Sequence, residues 1–261
     1  MPKFFIEPPP RKGEGKQKAQ IIIGGEDAYH LARVLRAKPG ERITATDGQG
    51  RLYEVVLTEV HPDGVRGEVL KVSADRAEPA LKITLAQSLL KGEKMDRVFQ
   101  KGTEIGVTAF LPFLSARTVA RPAPAQFGKK QERWAKIVLA AAKQSGRGLI
   151  PAVHPITAWE DLAPLVAGRF TIVAWEGEAN RSLRQALRDC PFAANGEAPC
   201  EVLLVVGPEG GFAPEEVAML TAWGAHPVSL GPRILRAETA GPLAAALILY
   251  HYGAFDPADP A

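Results

Sequence analysis

The stretch "LLVVGPEGGFAPEEV", residues 203–217, holds three different kinds of chain in fifteen positions. Leu203 to Val206 form a continuous apolar run, the pattern of a strand buried on both faces. The run stops at Gly207, and a glycine-rich turn carrying one carboxylate, Glu209, extends through Gly211. Pro214 then stands where a first helical residue is expected, and Glu215 and Glu216 suit the positive end of a helix dipole. A glycine turn between strand and helix can cradle phosphate. This one has no lysine followed by serine or threonine, does not match GxGxxG, and would repel a pyrophosphate through Glu209. The ligand it suits is satisfied by main-chain amides and carbonyls, with Glu209 left for a hydroxyl, an amine or a positive centre. A nucleoside without phosphate fits, and S-adenosyl-L-methionine has that profile.

The same device recurs further along the chain. "SLGPRILRAETAGPLAAALILYHYG", residues 229–253, pairs a Gly-Pro turn with an apolar helix and sets Arg236, Glu238 and Thr239 at the helix start. "RFTIVAWEGE", residues 169–178, is another buried strand, ending near Glu176. Three such loops are expected to converge on one pocket. Its cofactor contacts are assigned to Glu176, Gly207, Glu209, Gly210, Gly211, Leu230, Gly231, Ile234, Leu235 and Thr239.

Upstream, "KMDRVFQKGTEIGV" puts Met95, Val98, Phe99, Gly102 and Ile105 on one helical face, with Gly106 placed to end the helix. "KKQERWAKIVLAAAKQSGRG" reads as a second amphipathic helix ending at Gly146 or Gly148. Strands alternating with helices imply an α/β fold with a mostly parallel sheet, in which ligands bind beyond the strands' carboxyl ends. The first 77 residues read differently. Alternating strands broken at Asp47-Gly48 and Asp63-Gly64, pairs that accept positive φ, suggest a small β-barrel. The polar stretch "DRAEPA", residues 75–80, marks the boundary, giving domains 1–77 and 78–261. "HLARVLRAKPGE" places Leu31, Val34 and Leu35 at helical spacing, with Arg33 and Arg36 projecting away from them.

The formal charge of +3 hides an asymmetry: residues 81–150 hold 13 Lys+Arg against 4 Asp+Glu, whereas residues 151–261 hold 6 against 13. A central block of that sign suits a polyanion, or it is simply a solvated helix face. The RNA-binding candidates are Arg33, Arg36, Lys91, Lys101, Arg117 and Arg147, although Lys101 can instead pair with Glu104. The early loop "EPPPRKGEGKQKAQ" could also sweep over an RNA backbone. No apolar run approaches the ~20 residues that span a bilayer, and no signal segment opens the chain, so a cytoplasmic protein without a membrane partner is expected. Cys190 and Cys200 lack the spacing and companions of a metal site, and neither metal nor disulfide is expected.

Together these motifs resemble the SPOUT superfamily of knotted RNA methyltransferases, and within it the family that methylates N3 of a uracil in bacterial 16S ribosomal RNA. "HLARVLRAKPGE" resembles the opening of that family's PUA-like barrel. "KGEKMDRVFQKGTEIGVTAFLPFLSARTV", "RWAKIVLAAAKQSGRGLIP", "VVGPEGGF" and "LGPRILRAETA" follow in the family's order. Gly241 and Pro242 are a departure, interrupting a helix that is unbroken in the family. The resemblance implies a trefoil-knotted α/β domain, a homodimer, S-adenosyl-L-methionine as cofactor, and ribosomal RNA or the 30S subunit as partner. "LAAALILY" is compatible with an interface helix or a plain core helix. For such a reaction Arg236 is the candidate that stabilises charge on the uracil carbonyls, and Glu209 or Glu238 would take the proton or orient the cofactor. Glu238 read alone is equally a helix-start carboxylate. A non-catalytic RNA-binding module, or an enzyme of the superfamily acting on another RNA site, would share much of this pattern.

Overall fold

The computed structural model of the protein describes residues 3–6, 19–75, 77–190 and 201–256. The basic stretch within residues 7–18, and Cys200, lie outside the described residues. The chain forms two compact units, residues 1–78 with 142–150, and residues 79–141 with 151–261.

The first unit contains β1 (Lys3–Phe5), β2 (Gln20–Ile23), α1 (Gly25–Tyr29), β3 (Arg42–Thr46), β4 (Arg51–His61) and β5 (Gly64–Ala74). They make a five-stranded sheet in the order β1-β3-β4-β5-β2, in which only the β1–β3 pair is parallel. One face is apolar because alternate residues point the same way: Tyr53, Val55 and Leu57 of β4 pack with Phe4, Ile21, Ile43 and Val65. Register shifts at Glu54/Val55 and Leu57/Glu59 bend the β4–β5 ribbon. Gly67 sits against that bend, where a Cβ would lie 2.4 Å from Val55 Cγ1. The turn at Gly48 takes positive φ as the sequence suggests, whereas the second hairpin turns on Pro62 and Asp63 and Gly64 opens β5.

The apolar stripe expected after α1 is only partly present. His30–Val34 winds as a π-helical turn, with the Leu35 amide reaching back five residues to the His30 carbonyl. That wider winding breaks the 3.6-residue period. Leu31 enters the core, while Val34 and Leu35 are 60% and 48% exposed.

One partly buried carboxylate helps to hold residues 142–150 in this unit. Glu78 accepts the Gly148 and Leu149 amides, each at 3.0 Å, and the Arg147 guanidinium at 2.7 Å. Arg147 is 5% exposed. Its charge is used inside the fold, so it is not the RNA-facing cation that the sequence suggests.

The second unit contains β6 (Lys82–Ser88), α2 (Lys94–Ile105), β7 (Ala109–Phe113), α3 (Phe127–Ser145), β8 (Ala152–Val153) and α4 (Ala163–Val166). It continues through β9 (Phe170–Ala174), α5 (Leu183–Arg188), β10 (Glu201–Val206), α6 (Pro214–Ala222), β11 (His226–Val228) and α7 (Ala237–His251). The sheet order is β11-β9-β10-β6-β7-β8, and every pair is parallel. β10 lies at its centre with Val202 to Val205 fully buried, as its unbroken apolar run requires. Gly102 lets α2 close on β7, since a Cβ there would meet the Phe110 ring at 2.7 Å. Gly106, at φ 122, caps α2. α7 carries Pro242 inside it without breaking, and Gly241 brings the same turn close to β6.

Register decides where the ligand loops emerge. Val206 stands opposite Gln87 on one side and Ala174 on the other, and Ala174 stands opposite Val228. Strands β6, β9, β10 and β11 therefore finish level, and their following loops open at one edge.

Candidate active site

Those loops surround a cavity of about 990 Å³. The loop after β9 contributes Glu176, the loop after β10 contributes Gly207, Glu209, Gly210 and Gly211, and the loop after β11 contributes Leu230, Gly231, Ile234, Leu235, Arg236 and Glu238. Of the cofactor contacts read from the sequence, only Thr239 stays outside the lining. It is the third residue of α7, is exposed, and its amide is spent on the Arg236 carbonyl.

Main-chain bonds tie the loops after β9 and β11 together. The Trp175 amide donates to the Val228 carbonyl at 3.1 Å, the Ser229 amide to the Arg181 carbonyl at 2.8 Å, and the Leu183 amide back to Ser229 at 3.1 Å. Ser182 caps α5 in a reciprocal pair with Gln185. The β10 loop is pinned from below, where Gln87 donates its amide to the Gly207 carbonyl at 3.0 Å. Beyond it, buried Glu216 accepts the Ala213 amide at 2.9 Å and the Ala116 amide at 2.8 Å, which fixes the start of α6. Gly211 turns at φ +65 beside Glu176, whose carboxylate occupies the space a Cβ would need.

The carboxylates of the cavity differ in their surroundings. Glu209 accepts the Lys91 amide and the Lys94 ammonium, both at 3.0 Å. Burial pulls its pKa up, but its own amide, the Lys91 amide and Lys94 outweigh that and hold it below the ordinary carboxylate value. Glu209 is thus a firmly ionised group suited to orienting a ligand and poorly suited to taking a proton. Glu238 sits in different surroundings. Its side chain is 9% exposed, Arg236 stands 4.0 Å from one oxygen, and the other oxygen, Oε2, is buried with no hydrogen-bond partner among the described residues. An acceptor left in that state is costly unless something bound supplies a donor. The Arg236 side chain is 83% exposed and reaches over the mouth. At the far wall Arg181 contacts His226 Nδ1 at 3.2 Å and Asp189 at 3.3 Å. Burial first, and the Arg181 charge second, depress the His226 pKa, so it offers that guanidinium a neutral ring.

Sequence reasoning missed Lys94, Arg181 and Arg233 in the lining, where with Arg236 they balance Glu176, Glu178, Glu209 and Glu238. Lys94 reaches the cavity from the first residue of α2, a placement no local pattern reveals. Among the RNA candidates, Lys91 and Arg117 flank this site. Both are exposed, and Arg117 donates to the Gly210 carbonyl at 3.1 Å. Lys101 pairs with Glu104 at 2.8 Å. Arg33 and Arg36 are exposed on the first unit, Arg36 at the unusual φ of 54.

The sequence profile of the RNA methyltransferase domain matches residues 77–249, and that of the RNA methyltransferase PUA domain matches residues 23–70. This chain belongs to the RNA methyltransferase family. The methyltransferase is 35% identical over 247 residues to Ribosomal RNA small subunit methyltransferase E of Mycobacterium tuberculosis, covering 92% of this chain and 88% of that one. It is 33% identical over 251 residues to the protein of the same name from Bacillus subtilis, covering 96% of each. Among solved structures, Ribosomal RNA small subunit methyltransferase E from Neisseria gonorrhoeae bound to S-adenosyl methionine superposes with a TM-score of 0.75 at 30% identity, over 96% of this methyltransferase and 98% of that chain. A methyltransferase from Legionella pneumophila in complex with the same cofactor gives 0.73 at 28% identity, over 95% and 97%.

Proposed function

We propose that the protein transfers a methyl group from S-adenosyl-L-methionine to N3 of a uracil in small-subunit ribosomal RNA. The observation that carries this reading is the three-loop cavity with buried Glu238 Oε2 awaiting a donor. The donor set suits the cofactor. Bare backbone at Gly207, Gly210 and Gly211 can meet adenine and ribose, and four carboxylates against four cations suit a ligand that carries an ammonium, a sulfonium and a carboxylate. When bound, the cofactor supplies an activated methyl group.

The chain's own residues do the rest. Uracil N3 is a poor nucleophile until its proton leaves, so the site must stabilise the developing anion on the flanking carbonyls. Arg236, always charged and largely exposed beside Glu238, serves that purpose. Glu209, held ionised by Lys91 and Lys94, orients the cofactor. Glu238 accepts a hydrogen bond from the ligand or receives the N3 proton. Thr239 keeps no cofactor contact in this reading.

The domain roles follow the same lines. The first unit, with Arg33 and Arg36, holds RNA, and the second unit carries the chemistry with Lys91 and Arg117 at the rim; residue 78 and residues 142–150, expected in the second domain, go with the first. The carboxyl-terminal knot is part of this reading through the family resemblance, and α7, the helix that would be threaded, packs against β6, β9 and β10. A homodimer is supported by Leu243, Leu247 and Tyr250, an exposed apolar row at helical spacing on α7. No helix among the described residues is long and apolar enough to cross a membrane, and a ribosomal substrate argues for the cytoplasm. The test is mass mapping of small-subunit ribosomal RNA after incubation with protein and cofactor. A new N3-methyluridine supports the reading. Methylation of another atom corrects the target, and RNA binding without methyl transfer overturns it.

A further inference from the structure

Residues 89–96 form a wall with two sides. On one side the Lys91 amide and the Lys94 ammonium grip Glu209 of the main cavity. On the other, Leu89, Leu90, Gly92 and Met95 line a second cavity of about 350 Å³, closed by Trp134 and by Lys129, Lys130 and Arg133 of α3. The floor is apolar: Leu89, Leu90, Met95 and Trp134 are each at most 4% exposed. Asp96 is the single carboxylate of the lining, and Arg133 takes it in an ion pair. Lys130 Nζ stands 5.9 Å from the Trp134 ring centroid, and neither Lys129 nor Lys130 enters an ion pair among the described residues. Two cations without an ion pair among the described residues thus overhang an apolar floor, with Gln126 also in the lining.

A bare phosphate would need the cations without the floor, and an apolar ligand the floor without the cations. A nucleotide needs both, its base against the apolar surface and its phosphate on the ammonium groups. We propose that this second cavity receives a nucleotide of the RNA strand next to the one that enters the main cavity. Its position across one loop from Glu209 is where a strand continuing past the reacting base would run, and single-stranded RNA is recognised by bases splayed into such pockets. This subsite rests on the reading of the protein as an RNA methyltransferase.

The test uses the full chain, a fragment of small-subunit ribosomal RNA, and the double variant Lys129→Ala/Lys130→Ala. KM for RNA is expected to rise about tenfold, and the slope of log affinity against log salt to shrink by about 0.7, the loss of one phosphate contact to a single strand. kcat and the affinity for S-adenosylmethionine stay unchanged, and Lys129→Arg/Lys130→Arg restores the KM. 4-Thiouridine placed beside the target should crosslink to the peptides of residues 89–96 or 126–134. A double variant with wild-type KM and salt slope, or crosslinks confined to other peptides, overturns the subsite alone. If the wild-type protein neither binds nor methylates RNA, the functional reading falls and the subsite falls with it.

Discussion

Replacing Gly211 by alanine separates two costs that the site combines. The residue turns at φ +65, and a Cβ there would lie 1.9 Å from Glu176 Oε1 and 2.9 Å from Glu176 Cδ. The left-handed conformation alone costs a non-glycine residue about 1–2 kcal/mol. The collision adds little to that, because it falls on the far end of an exposed side chain that can swing aside. In a domain of this size the strain corresponds to a melting temperature lower by about 2–8 °C. The swing matters for binding, since it takes the Glu176 carboxylate off the cavity wall. Gly211→Ala and Glu176→Ala are therefore both expected to weaken S-adenosylmethionine. The double variant should bind no more weakly than the worse single one, because each change removes the same carboxylate. Calorimetry measures both quantities on the same four proteins. Wild-type melting and affinity for Gly211→Ala would refute the reasoning, as would affinity losses that add in full.

Arg236→Ala should leave the melting temperature and cofactor affinity nearly unchanged, since the side chain is 83% exposed, while methyl transfer falls by about 10²–10³. Single-turnover rates check this. Arg147→Ala leaves the partly buried Glu78 carboxylate without its buried guanidinium and should cost about 3 kcal/mol in urea unfolding. If it instead weakens RNA binding with stability intact, the ion pair is not its role. Glu209 is held below its ordinary pKa of 4.5, so its contribution to stability is complete above that pH and is lost as pH falls through its lower folded value. Glu209→Gln should therefore unfold with a shallower acid limb than the parent, and parallel curves would contradict the linkage.

What could be read from the sequence was local. β10 is announced by its unbroken apolar run, α2 by the spacing of Met95, Val98, Phe99 and Gly102, and the loops by their glycines. Eleven of the twelve positions assigned to the cofactor or to catalysis line one cavity, because the ends of parallel strands bring successive turns to the same edge. What escaped depends on partners distant in sequence. Val34 and Leu35 fit a helical stripe, but a π-helical turn rotates them into solvent. Arg147 looks like one more cation of a basic block until Glu78, 69 positions earlier, closes on it. Lys94 reads as one more cation of the central basic block, and its pairing with Glu209, 115 residues on, has no local signal.

The return of residues 142–150 to the first unit has a practical outcome for dissecting the protein. The polypeptide leaves that unit after residue 78, comes back at 142 and departs again after 150. A fragment ending near residue 77 would lack the Gly148 carbonyl that receives the Thr46 hydroxyl and the Gly50 amide. It would also lack the Ile150 amide that donates to Gly48. No single cut frees either half whole, and an isolated amino-terminal piece should be fused to the nonapeptide it borrows before its binding is measured.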